Sequence, residues 1–354
     1  MQSTLARSVD GKMPYFFPLD GVRAYCVLLV MYNHVHTETK LTTWVQGHLG
    51  VDLFFIISGF LITTLLRREK HFNGSIDLRG FYWRRFFRII PVYLAVLALY
   101  VAVCQLPPLA EKWVQLRAGL PYFLTMMNEY VKEPNGGNVF THTWSLGVEE
   151  KFYLVWPMLF FLGGRSTRLR LAIIAVLLVG TALPSMLWEG SLFSAYFGLM
   201  MGAAMAVLLS GPYAGRIFAS LRRVPTIVAL GIFVLGFYAA GVSPHLLFVF
   251  STTSVVFLSF MLAGKTWISR FHELPVMVWF GKRSYSMYLV HVLCLNAVER
   301  RVRMDSGWKV AGVLAVGYLL SAAAADVLYR LIEEPARKAG RAYLARHKEV
   351  STAV

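Results

Sequence analysis

Apolar runs recur along the whole of this chain at spacings of a few tens of residues. Several reach the roughly 20 residues that a helix needs to cross a bilayer. Hydrophobic residues make up 57% of the 354 and charged ones only 15%, against roughly 25% charged in ordinary soluble domains. Mean hydropathy is +0.55. Together these describe a polytopic helical membrane protein and argue against a soluble domain with a large core.

The runs predict an all-α fold of ten transmembrane helices, near 19–36, 49–66, 89–105, 143–162, 171–187, 191–209, 225–241, 245–263, 280–298 and 309–332. An even number of crossings puts both termini on one side. Of the 35 lysines and arginines, 24 fall on that side, 8 on the other and 3 within spans, which places both termini in the cytoplasm. The cluster "ERRVR" at 299–303 is the exception, on the outer side; it reads as solvated loop charge in preference to a site for an acidic partner. Residues 1–338 are expected to form one membrane domain, followed by a short basic cytoplasmic tail at 339–354. No small-residue cleavage pattern follows His34, so the first run reads as a span and not as a signal peptide.

The net charge of +16 does not mark a nucleic-acid binder. Its basic residues sit in short segments between apolar runs, with no basic arm or recognised nucleic-acid module. Cys26, Cys104 and Cys294 stand singly in apolar surroundings, offer no metal or disulfide spacing, and read as small packing residues. The segment "LRGFYWRRFFRIIP" mixes aromatics with arginines and suits the membrane interface ahead of the third span. The longest outer segment, 106–142, carries Pro and Gly turn signals and an apolar middle too short to cross.

Ionisable groups inside a bilayer are costly and face a cavity or a partner. Arg23 and His34 are eleven residues apart, within about 20° of whole helical turns and about 16 Å along one axis, so they share a face of the first span. Asp52, in "VDLFFIISGF", begins the returning second span near the level of His34. The segment "HTWSLGVEEKFYLVWP" puts Ser145, Glu149 and Glu150 in the outer part of the fourth span, Ser145 and Glu149 on one face. His291, in "GKRSYSMYLVH", lies mid-span on the ninth helix and is a candidate for the same cavity. His142 is within reach of it, and His36 points elsewhere. Structural Asp–His or Glu–Arg pairs would meet the same cost, and Asp52 could instead cap its helix. Arg84, Arg85 and Arg88 adjoin on one helical face; their guanidinium forks suit phosphates, on a ligand or on lipid headgroups.

In order, "LDGVRAYCVLLVMYNHVH", "GHLGVDLFFIISGFLI", "FYWRRFFRIIPVY", "THTWSLGVEEKFYLVWP", "GKRSYSMYLVH" and "YRLIEEPARK" resemble the landmarks of the membrane-bound acyltransferase-3 family, over about residues 17 to 338. The resemblance implies a ten-helix fold in the bacterial inner membrane. It also implies transfer of an acyl group, acetyl above all, from cytoplasmic acyl-CoA to a hydroxyl of a sugar, glycolipid or exported small molecule. Arg23 and His34 match the family's Arg–ten residues–His element, Arg85 and Arg88 its Arg-x-x-Arg, and Glu149 the glutamate of its Ser-Leu-x-x-Glu. "YNHVH" and "GVEEKF" depart mildly from the usual pattern, and the outer esterase-like domain of some relatives is not expected.

On that reading His34 is the general base, oriented by Asp52 or Glu149. Arg84, Arg85, Arg88 and Arg23 hold the phosphates of acyl-CoA, and Ser145, Glu150 and His291 meet the acceptor. No metal is expected. Membrane lipids are the surroundings, and nucleic acid is not a partner. The residues also leave open a transporter or flippase of a glycan or lipid, which needs buried charge around a cavity too.

Overall fold

The computed structural model describes residues 17–35, 46–131, 139–164, 166–187, 192–302 and 306–352. His36 and Arg303 lie outside them. No strand occurs among the described residues, and a helix lies over each predicted apolar run. In chain order the α-helices are α1 (Phe17–Asn33), α2 (Leu49–Asn73), α3 (Leu78–Cys104), α4 (Ala110–Leu124), α5 (Trp144–Leu162), α6 (Thr167–Leu187) and α7 (Phe193–Leu209). They continue with α8 (Ala214–Leu221), α9 (Thr226–Val242), α10 (Leu247–Ala263), α11 (Trp267–His272), α12 (Pro275–Glu299), α13 (Gly307–Leu328) and α14 (Glu334–Thr352).

Among the described residues, α2, α3, α6 and the run Gly307–Arg346 are long and apolar enough to cross a bilayer. The pair α7 and α8, bent by 102°, makes five if taken as one span. The chain divides into two compact units, the first of Met1–Asn33, Lys40–Ile76 and Lys151–Lys282, the second of His34–Thr39, Asp77–Glu150 and Arg283–Val354.

In the first unit α2 packs on α7 with backbones nearly touching. A β-carbon on Gly59 would collide with the Leu199 carbonyl, and one on Gly202 with the Ile56 carbonyl. Gly198 and Gly202 stand four apart on α7, the small-residue spacing that lets two helices approach this closely. Gly74, at φ 71°, ends α2 in the left-handed conformation. Cations then close the ends of other helices. Arg67 donates to the Ser210 carbonyl at 2.8 Å, and Lys70 and Arg170 to that of Gly164 at 2.6 and 2.5 Å. Arg222 donates to the Ala263 carbonyl at 2.5 Å. These carbonyls lie at or just past the C-terminal ends of α7, α5 and α10, where a helix leaves acceptors unpaired and carries partial negative charge.

In the second unit α3 is a single 27-residue helix with Pro91 inside it. The Asp77 carboxylate caps it, accepting from the Gly80 N–H at 2.8 Å. The aromatic–arginine segment expected ahead of the third span is therefore the first part of the same helix. The segment expected outside the membrane, read from its punctuation as turns, contains α4 and short 3₁₀ turns at Asn128–Tyr130 and Thr141–Thr143. A buried network ties it to α3. The Asn128 amide donates to the Tyr93 hydroxyl at 3.0 Å and to the Thr143 hydroxyl at 2.7 Å. Tyr93 donates in turn to the Phe123 carbonyl at 2.9 Å.

α13 passes through a five-residue π-helical stretch, Tyr329–Glu333, into α14. The described part of the expected tail is thus helical. Glu333, 2% exposed in that stretch, accepts from the Ser286 hydroxyl at 2.6 Å.

Candidate active site

Three histidines meet in the second unit. α1 stops at Asn33 and His34 follows in a turn, so the helical phase shared with Arg23 ends one residue short of it. The ring centroids of His34 and His291 are 4.9 Å apart, those of His142 and His291 5.2 Å, and those of His34 and His142 6.2 Å. His291 is fully buried and His142 is 7% exposed, whereas His34 is half-buried.

Hydrogen bonds order the protons on these rings. His291 Nδ1 lies 2.6 Å from the Tyr288 carbonyl oxygen. A carbonyl only accepts, so Nδ1 carries the proton and a neutral His291 presents its lone pair at Nε2. That lone pair faces His34 Nδ1 at 3.4 Å. Nδ1 of His34 must then be the donor, and Nε2 of a neutral His34 is left as the basic nitrogen. His142 Nε2 likewise donates to the Leu289 carbonyl at 3.2 Å, which leaves its Nδ1 as an acceptor, buried and without a hydrogen-bond partner. His142 sits in the 3₁₀ turn ahead of α5, outside the predicted spans. Burial first, and then the neighbouring His34, push its pKa down to about 3 and hold it neutral.

Tyr288 braces this arrangement. Its hydroxyl donates to the His142 carbonyl, so the Ser145 hydroxyl, 2.7 Å away, is the donor to Tyr288. Glu149 acts electrostatically on Tyr288 and, with Glu150, on Tyr285, which puts both carboxylates near the same stretch of α12. His34 and His142 line a cavity of about 640 Å³, walled by Tyr100 of α3 and by residues of α12, with Lys112, Arg300 and Arg301 also on its lining. That volume is in the range of small-molecule sites. Neither Ser145 nor His291 lines it; they stand behind the wall. Among the described residues, no group of three metal-ligating side chains is arranged to hold a metal ion.

The other expected residues divide between the units. Arg84, Arg85 and Arg88 are half-buried on the first turns of α3, with the Arg85 guanidinium over the Phe81 ring at 5.7 Å. Arg88 and Tyr100 are twelve residues apart, about 18 Å along the helix axis. Arg23 and Asp52 belong to the first unit. Asp52 is buried in the first turn of α2. The residue in the N-cap position is His48, without a side-chain cap bond.

Sequence reasoning left out Tyr288 and Tyr100, and weighed His142 without placing it in the site. "THTWSLG" and "SYSMYLVH" held the signal, since a second histidine just ahead of an apolar run and a tyrosine one turn before His291 both need buried partners.

Fold and site together define an all-helical membrane protein with a cavity floored by histidines. A family model described as an acyltransferase domain matches residues 18–330, and the chain belongs to that acyltransferase-3 family. It is similar to O-acetyltransferase OatA of Staphylococcus aureus (strain NCTC 8325 / PS 47), 28% identical over 367 residues, which cover 92% of this chain and 58% of the relative. It is equally similar to a putative O-acetyltransferase of Staphylococcus aureus (strain COL), 28% identical over 382 residues, 96% of this chain and 60% of the relative. The chain thus spans about three-fifths of the length of these curated relatives. No solved structure matches it.

Proposed function

We propose that the protein is a membrane-embedded O-acyltransferase that moves an acyl group, acetyl in the first instance, from acyl-CoA to a hydroxyl of a sugar, glycolipid or related acceptor. The observation that carries this is the proton order of the histidine trio, which leaves Nε2 of cavity-lining His34 as a base. In the reaction His34 Nε2 takes the proton of the acceptor hydroxyl while its oxygen attacks the thioester carbonyl. The C–S bond breaks as the new C–O bond forms, and the CoA sulfur leaves with the proton returned by the imidazolium. Glu149, near the Tyr288 that braces the trio, stabilises the imidazolium.

Arg84, Arg85 and Arg88 supply bidentate donors for the phosphates of CoA. They lie at the far end of α3 from the cavity, so a long, thin donor arm must bridge the distance, as pantetheine does. In this reading ten helices cross the bacterial cell membrane, both termini are cytoplasmic, and Arg84, Arg85 and Arg88 open to the cytoplasm. The test is release of free CoA by protein purified in detergent. Acceptor-dependent release supports the enzyme; a protein that binds and moves a glycan but never releases CoA is a transporter.

A further inference from the structure

Resting on the acyltransferase reading, we infer that the cavity above His34 and His142 is the acceptor site, and that the acceptor is anionic. Its charged group, a carboxylate or a phosphate, is held by Lys112, Arg300 and Arg301.

Three independent features meet in this cavity. His34 and His142 both line it, and the basic Nε2 of His34 suits a hydroxyl that must donate. At its rim, three cations come from two elements far apart in sequence, Lys112 from α4 and Arg300 and Arg301 from the turn after α12. Among the described residues no carboxylate lines the cavity, and none lies within ion-pair distance of these three cations. Arg300 and Arg301 are exposed and Lys112 is half-buried; like charges gathered in this way repel one another, and an anionic ligand relieves that repulsion. The two arginines belong to the "ERRVR" cluster that breaks the charge bias of the loops. Sequence alone favoured reading them as solvated charge; their place on this rim gives them a ligand.

His291, in contact with His34, and Arg300 are nine residues apart along α12 and its end, about 13 Å between backbone positions. An extended arginine side chain covers part of that span, so the acceptor is a carboxylated or phosphorylated sugar, oligosaccharide or glycolipid and not a neutral one.

The test measures binding apart from turnover, with the full-length protein in nanodiscs of zwitterionic lipid so that headgroup anions do not compete. Three probes are compared: an oligosaccharide containing uronic acid, the same oligosaccharide with its carboxyls reduced, and an oligosaccharide phosphate. Exposed ion pairs each contribute about 1.4- to fivefold, so three cations should favour at least one of the two anionic probes about threefold or more over the neutral one. Which anionic probe gains more separates a carboxylate from a phosphate acceptor. Lys112→Gln, Arg300→Gln and Arg301→Gln together should erase the preference, and Arg300→Lys with Arg301→Lys should keep most of it. A melting curve shows that each variant is folded.

Equal binding of all three probes overturns the proposal, as does a preference that survives in the triple variant. CoA release by the unaltered protein is measured alongside. Its absence, with the binding preference intact, would sink the acyltransferase reading and leave the anion site standing.

Discussion

At the scale of single residues, the question is which nitrogen of which histidine is basic. The Tyr288 carbonyl fixes the proton of His291, and His291 thereby fixes that of His34. His34→Ala should lower acyl transfer by roughly 10²–10⁴-fold with expression and melting behaviour nearly unchanged, checked by CoA release and thermal denaturation. His291 acts through His34 as a positioning residue. His291→Ala should lower kcat with little change in either KM, and His291→Gln should recover part of the loss, because the Gln carbonyl can still accept from His34 Nδ1. Equal losses in both variants would reduce His291 to a packing residue. His142 bears on stability. Its folded pKa, about 3, lies below the ordinary unfolded value of about 6.5, so unfolding takes up a proton at intermediate pH. Above pH 6.5 both states are neutral and the residue is without effect; as pH falls from there toward 3 the folded state loses ground. His142→Gln should flatten that decline, read as melting midpoint against pH.

At the scale of elements, α2 and α7 show what backbone contact demands. Gly202→Val would drive a branched side chain into the Ile56 carbonyl and should cost roughly 1–3 kcal/mol, seen as a lower melting midpoint. Gly231 of α9 faces open space, so Gly231→Ala should leave the midpoint level or raise it. A fall of equal size at both positions would mean that helix–helix contact is not what Gly202 provides. α3 carries two chemistries on one rod, arginines near its start and Tyr100 on the cavity wall. Arg85→Gln with Arg88→Gln should raise KM for acyl-CoA about tenfold and leave that of the acceptor in place, because charge-assisted contacts to phosphate are lost. Unmoved KM values for both substrates would leave these arginines as lipid anchors.

At the scale of the whole molecule, the helices were legible because apolar length is a local property: every predicted run carries a helix. Helix ends were less so. α2 runs on through the charged "RREKHFN" to Asn73, and α3 begins eleven residues ahead of its apolar run, because the Asp77 cap and Gly74 decide termini that hydropathy does not register. α4 was hidden by the prolines at 107, 108 and 121, which read as turns. The site was legible residue by residue but not as an assembly. His34 and His291 stand 257 positions apart, and only tertiary structure reveals that they touch. The cations of the first unit add a last consequence. Arg67, Lys70, Arg170 and Arg222 are each bonded to a carbonyl at a helix end, charge against dipole at short range, whereas Lys112, Arg300 and Arg301 look into an open cavity. Raising ionic strength shortens the Debye length from about 10 Å at 0.1 M to about 3 Å at 1 M, which weakens exposed attraction far more than short, partly buried bonds. Concentrated salt should therefore strip an anionic acceptor from the protein while its melting midpoint holds, so that one protein has a salt-sensitive doorway in a salt-tolerant frame.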